Sequence, residues 1–140
     1  MSMIQEISAE SDFLYVRTAG EFSLPEAQKN FIGILDAIAQ HKVAKVLFDG
    51  RQVTGEPQMM ERFFYGEFAA RWVARYAARG VSRATRFAYV LQEPVLDPGR
   101  FGETVATNRG MHLKAFDALE DACQWLQIAP AKHLDASADK

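Results

Sequence analysis

An α/β domain, a mixed sheet of about five strands with flanking helices, is the fold class this sequence predicts. Three observations carry the prediction. Strand-like and helix-like segments alternate in the order ββαβαβαβα, which lays helices against a mostly parallel or mixed sheet. The inner strands are short apolar runs such as "VLF" and "FAYVL", the pattern of strands covered on both faces. The chain has 140 residues, 49% of them apolar, with no internal repeat and no shift of composition, which is one domain with one core.

Each element has its own signature. Met3–Ser8 and Phe13–Ala19 read as a hairpin joined by the turn residues "SAESD", the second strand being rich in aromatic and β-branched side chains. A helix starts at "SLPE". Ser23 with Glu26 has capping-box spacing, Pro25 suits the first turn, and Ala27, Phe31, Leu35 and Ile38 form its buried stripe. Val43–Phe48 is an apolar strand, and "DGRQVTG" after it reads as the turn that launches the next helix. That helix is the longest, Pro57 to Arg79, closed by Gly80 with arginines in its last turns. Arg86–Leu91 is a strand. Asp97-Pro98 opens a helix through Arg109, which Gly110 ends. Met111–Phe116 is the last strand, and Asp117 with Glu120 repeats the capping pattern before Ala118–Gln127, which buries Leu119, Ala122 and either Trp125 or Leu126. The domain spans 1–128, and 129–140 reads as a disordered tail.

Composition narrows the function. With 16 basic and 18 acidic residues the formal net charge is −2, so nothing global draws the chain to nucleic acid. Cys123 is the single cysteine, which excludes an internal disulfide and a multi-cysteine metal site. His41, His112 and His133 are scattered, without metal-ligand spacing. No P-loop, dinucleotide fingerprint or nucleophile elbow occurs, so neither cofactor, metal nor catalytic residue is expected. The polar start "MSMIQEISAESD" is unlike a signal peptide, and no apolar run nears the roughly 20 residues that span a bilayer, so a cytoplasmic location is expected.

The hairpin with "FLYVRTAGEFS", the strand and turn "KVLFDGRQVTG", the strand "RFAYVL" and the ending "FDALEDACQWL", in that order, resemble the SpoIIAA-like branch of the STAS-like superfamily, itself related in fold to Sec14-like lipid-binding domains. The resemblance covers nearly the whole chain to about Ile128. It implies the five-stranded mixed sheet and a family mostly without enzymatic activity. In relatives that are anti-sigma-factor antagonists it implies a phosphorylatable serine in an Asp-Ser-Ser-Gly-like motif after the third strand. The corresponding stretch, Asp49 to Gly55, holds no serine; Thr54 is its one hydroxyl, and the switch is not carried over.

Two places stand out as candidate surfaces. Asp49, with Arg51, sits at the carboxyl end of a central strand, where open α/β sheets bind ligands. Asp49 either accepts from the loop's own amides or orients Arg51 or a ligand. In the long helix, steps of about 100° per residue place Met59, Phe63, Gly66, Ala70, Val73 and Ala77 on one face. Met60, Phe64 and Phe68 lie nearly opposite and run on into Arg71, Arg75 and Arg79. A helix apolar on two sides needs a second cover. Neighbouring segments or a second copy of the chain would supply it; so would a nonpolar ligand in an internal pocket, or an anionic membrane surface met peripherally. The leading expectation is a non-enzymatic module that binds another protein or itself through the 49–79 loop and helix. The alternative is a carrier or sensor of a hydrophobic small molecule or lipid.

Overall fold

The fold, obtained as a computed structural model, describes residues 3–129. It contains β1 (Ile4–Ala9), β2 (Leu14–Glu21), α1 (Leu24–His41), β3 (Lys45–Thr54), α2 (Met59–Tyr76) with a 3-10 turn over Ala77–Arg79, β4 (Arg86–Val90), α3 (Phe101–Asn108), β5 (His112–Phe116) and α4 (Leu119–Leu126). The order is ββαβαβαβα, as the sequence predicts. The sheet runs β1-β2-β3-β4-β5, with β1 antiparallel to β2 and the other pairs parallel. Each parallel crossover steps in the same direction across the sheet. With one handedness throughout, the three crossover helices land on one face. There α1 and α2 cover Leu14, Val16, Val46, Phe48 and Phe87, while α4 covers Tyr15, Leu47, Ala88 and Val90 on the other face. The inner strands are covered on both sides, which is why their sequences are continuously apolar.

Several local expectations are corrected. β3 does not stop at Phe48. It continues through Asp49, Gly50 and Arg51 to Thr54, because β2 extends alongside and pairs Ala19, Gly20 and Glu21 with Gln52, Val53 and Thr54. β4 pairs with β3 only as far as Asp49. The turn is left to Gly55, whose φ of 100° is the left-handed backbone that glycine alone adopts readily. Ser23 occupies the N-cap position of α1 but makes no side-chain cap; Glu26 accepts the Met3 N–H at 2.9 Å instead, tying the helix to β1. α4 begins at Leu119 with Ala118 as N-cap, so Asp117 lies one residue too early to cap it. α3 begins at Phe101. Asp97 stands before it and accepts the Phe101 N–H at 2.7 Å. Of Trp125 and Leu126 in the last turn of α4, Leu126 is the one buried. Apart from Ala129, the tail read as disordered lies outside the described residues.

Gly66 does not break α2. A Cβ there would lie 2.7 Å from the Gly102 carbonyl and 3.2 Å from Val105 Cβ, so the missing side chain is what lets α3 pack against the middle of α2. This close crossing places the start of α3 over the carboxyl ends of β3, β4 and β5. No helix among the described residues is long and apolar enough to cross a membrane.

Candidate functional site

Extending β3 puts Asp49 on the α4 face, two residues after Leu47, and Arg51 at the bulge between Asp49 and Gln52, with its guanidinium folded back onto Asp49. Asp49 is 4% exposed. Its carboxylate accepts from Arg51 Nε at 2.8 Å, from Arg51 Nη2 at 2.7 Å and from the Tyr15 hydroxyl at 2.6 Å. Burial alone would raise the Asp49 carboxyl, but the Arg51 and Tyr15 hydrogen bonds outweigh it and hold it below the usual carboxylate range. Tyr15 is pushed up by burial and by the neighbouring carboxylate, and Arg51 is raised by its bond to Asp49. Asp49 thus orients the Arg51 side chain and also accepts the Arg51 backbone N–H at 3.3 Å, both within a buried network. α2 lies across the sheet from that network, so the single 49–79 surface expected from sequence is divided in two. Thr54 is exposed at the end of β3, and its carbonyl accepts the Phe22 N–H at 2.8 Å.

The two faces separate in the middle of α2, whereas Met59 and Ala77, which the spacing places on the Gly66 face, are exposed, and Phe68, placed opposite, is half-buried. Gly66, Ala69, Ala70, Val73 and Tyr76 are buried, while Met59, Met60 and Phe64 are 67%, 56% and 43% exposed. Among the described residues Phe64 meets one aromatic ring, Phe63, edge to face at 5.5 Å. Phe68 is half-buried against the core and packs on Trp72 at 5.9 Å, so its own domain already covers much of it. Arg71 and Arg75 are exposed; Arg75 stacks on Trp72 at 4.8 Å. The Arg79 side chain is also 62% exposed and meets Asp36 at 3.6 Å and the Tyr76 ring at 4.8 Å, while Arg86 lies on Trp125 at 5.3 Å. The side chains open to solvent thus include Met59, Met60, Phe64, Arg71, Arg75 and Arg79.

The inner side of α2 holds a feature that no single motif announces. A cavity of about 130 Å³ lies between α2, the start of α3 and the carboxyl ends of the parallel strands. This is where open α/β sheets present ligand crevices. Phe48 and Val53 of β3, Tyr89 of β4 and Leu113 and Ala115 of β5 form its floor; Arg62, Tyr65 and Gly66 of α2 form one wall. The cavity lies between this helix and the sheet, and none of Met60, Phe64 or Phe68 lines it, so the second apolar face of α2 is not what encloses it. The segment between β4 and α3 closes the rim. Arg62 pins it by donating to the Val95 and Pro94 carbonyls, both at 2.7 Å, and the Glu93–Pro94 peptide is cis. Glu103 accepts the Ala115 N–H at 2.8 Å, and hydrogen bonds from the Phe101 and Gly99 amides help hold the Asp97 carboxyl low.

Inside, Tyr89 stacks on Phe48 with ring centroids 4.3 Å apart, and its hydroxyl meets that of Tyr65 at 2.5 Å. Burial pushes both phenols up; the hydrogen bond between them adds to the rise at Tyr89 and opposes it at Tyr65. Sequence reasoning passed over Tyr65, Tyr89 and Arg62. One signal was available: a tyrosine inside a strand buried on both faces must find a partner for its hydroxyl. Among the described residues no group of three or more His, Cys, Asp or Glu side chains is placed to hold a metal ion.

No family model matches the chain, and no curated protein matches it in sequence. Solved structures do match. An anti-sigma factor antagonist from Mycobacterium paratuberculosis superposes with a TM-score of 0.58 at 13% identity, over 90% of this chain and 95% of its own. The anti-sigma factor antagonist SpoIIAA in its unphosphorylated form gives 0.54 at 11% identity, over 91% and 100%. An uncharacterized protein of the DUF3478 family with a SpoIIAA-like fold, from Shewanella loihica, gives 0.51 at 15% identity, over 89% and 94%. What is shared at such identities is the backbone arrangement: this chain has the SpoIIAA-like, STAS-type α/β fold.

Proposed function

We propose that this chain is a non-catalytic STAS-like binding module that docks a partner protein through the outer stripe of α2. The observation that carries the reading is the run of Met59, Met60 and Phe64, uncovered on the first turns of a helix whose later turns present Arg71 and Arg75 to solvent. Methionine and phenylalanine suit an apolar groove, and the arginines suit an acidic margin that sets orientation. A second copy is the poorer complement. A two-fold contact would lay this stripe on itself and bring Arg71 and Arg75 toward their own copies, with Glu67, four residues before Arg71, offering one carboxylate against two guanidinium groups. Two of the fold neighbours are named for antagonising another protein, which agrees with a protein partner. Asp49 and Arg51 serve this reading as scaffold on the far face, and Thr54 is an exposed position just ahead of the stripe.

Photo-crosslinking tests it. A benzoylphenylalanine placed at Phe64 is expected to capture one protein in cells, and one placed at the exposed Gln124 of α4 is not. Arg71→Glu with Arg75→Glu should weaken the capture. No adduct at 64, or the same adducts at both positions, overturns the reading; an adduct of twice the chain mass assigns the stripe to self-association. Flotation with anionic vesicles is expected to leave the protein in solution, and salt-sensitive flotation would replace the partner with a membrane.

A further inference from the structure

We propose that the cavity inside α2 is a site for one compact, neutral, ring-sized apolar molecule with a single hydrogen-bond acceptor, gripped by the Tyr65–Tyr89 hydroxyl pair. Size comes first. The volume is about 130 Å³, close to the roughly 150 Å³ at which an apolar protein cavity stays dry and takes up benzene. Its walls are Phe48, Val53, Val95, Leu96 and Leu113, which offer dispersion contact and no polar partner.

The hydroxyl pair supplies the polar element. Each oxygen has the other as partner, and neither makes a further hydrogen bond to a described residue. Two phenols carry two protons, and the one bond between them uses only one. Whichever tyrosine donates, the other keeps a proton that needs an acceptor, and Tyr89 is only 6% exposed. Leaving such a proton unmet costs free energy, so an acceptor on the ligand gains what the empty site lacks. The rim points to a neutral guest. Arg62 and Arg100 are balanced by Asp97 and Glu103, and each already bonds to backbone. This inference is independent of the partner surface, which lies on the other side of the helix, and each can fail alone.

Acetophenone and α-methylstyrene make the test, since they share a shape and differ in a carbonyl oxygen against a methylene. Titrated into the ¹⁵N-labelled protein, both are expected to shift amides of residues 62–66 and 89–97, with acetophenone binding about fivefold tighter, the worth of one net hydrogen bond. Tyr65→Phe or Tyr89→Phe alone leaves one phenolic proton and should keep that preference. The double variant removes both protons and should reverse the preference, since acetophenone then buries a carbonyl with no donor. Ala115→Leu fills the floor and should abolish binding of both probes. Absence of binding to the wild type, or shifts confined to the outer stripe, overturns the proposal. So does a wild-type ratio of one, which would assign the spare proton to a water, or a preference that survives in the double variant.

Discussion

Removing the Asp49 carboxylate is the sharpest test of how the sheet is held on its α4 face. Asp49→Ala deletes the acceptor of two guanidinium bonds, of the Tyr15 hydroxyl and of the Arg51 amide, which contacts Oδ1 at 3.3 Å. The Arg51 side chain is only 15% exposed, so its charge stays where water reaches it poorly. Deleting one partner of a buried ion pair costs about 3–5 kcal/mol, and this partial access of water argues for the lower end, about 3 kcal/mol. For a domain of this size that lowers the melting temperature by on the order of 10 °C. Arg51→Ala should cost a similar amount, since it abandons the more deeply buried partner. The double variant Asp49→Ala, Arg51→Ala should cost less than the two singles together, by about 2 kcal/mol, because neither charge is then left behind.

The pH dependence has a definite sign. The folded Asp49 carboxyl lies below its unfolded value of about 4, so the stability it contributes is present above that value and is lost as pH falls through the folded one. The wild type should therefore lose stability more steeply below about pH 4 than Asp49→Ala does. Urea melts followed by circular dichroism across pH 3–8 measure both effects. An Asp49→Ala cost under about 1 kcal/mol, strict additivity of the singles, or equal acid slopes would refute the view that this network is buried and paired.

Three further outcomes are expected. All four tyrosines, Tyr15, Tyr65, Tyr76 and Tyr89, have hydroxyls raised above the ordinary phenol value, so their contribution to stability is present below about pH 10 and lost as pH rises through the folded values. Absorbance at the tyrosinate band should stay low in the native protein past pH 10 and then rise together with unfolding. Gly66→Ala sets a methyl 2.7 Å from the Gly102 carbonyl and should cost about 1–3 kcal/mol by forcing α3 off α2, read as a lowered urea midpoint. Phe64→Ser removes a side chain that its own domain leaves 43% exposed; it should change stability by under about 0.5–1 kcal/mol while losing the crosslinked partner.

The fold was legible because its signals repeat. Apolar runs at Val46–Phe48 and Phe87–Val90, helical spacing at Phe31, Leu35 and Ile38, and glycines after the helices all agree, and such agreement is what makes a sequence specify one fold. Element ends were less legible where two rules compete. Asp49-Gly50-Arg51 has turn composition, yet a neighbouring strand long enough to pair with it overrides the local preference, and β2 continues to Glu21. Ser23 and Glu26 have capping spacing, but Glu26 finds the Met3 amide. Spacing states which groups can meet along a chain; it is silent about a competing partner 23 residues away.

The candidate site divides along the same line. The outer stripe of α2 was legible since exposure follows from helical angle alone: Met60 and Phe64 lie opposite Gly66, Ala70 and Val73 on any regular helix. The cavity was not, because its walls come from segments far apart in sequence: Tyr65 on α2, Tyr89 on β4, Val95 in the connection and Ala115 on β5. Its existence depends on Gly66, which let the start of α3 come close enough to roof the strand ends. From sequence that glycine reads as a weakness in a long helix. In three dimensions the same absent methyl group determines how near the roof sits to the floor. Gly66→Ala therefore probes stability and cavity at once, and the two effects should move together.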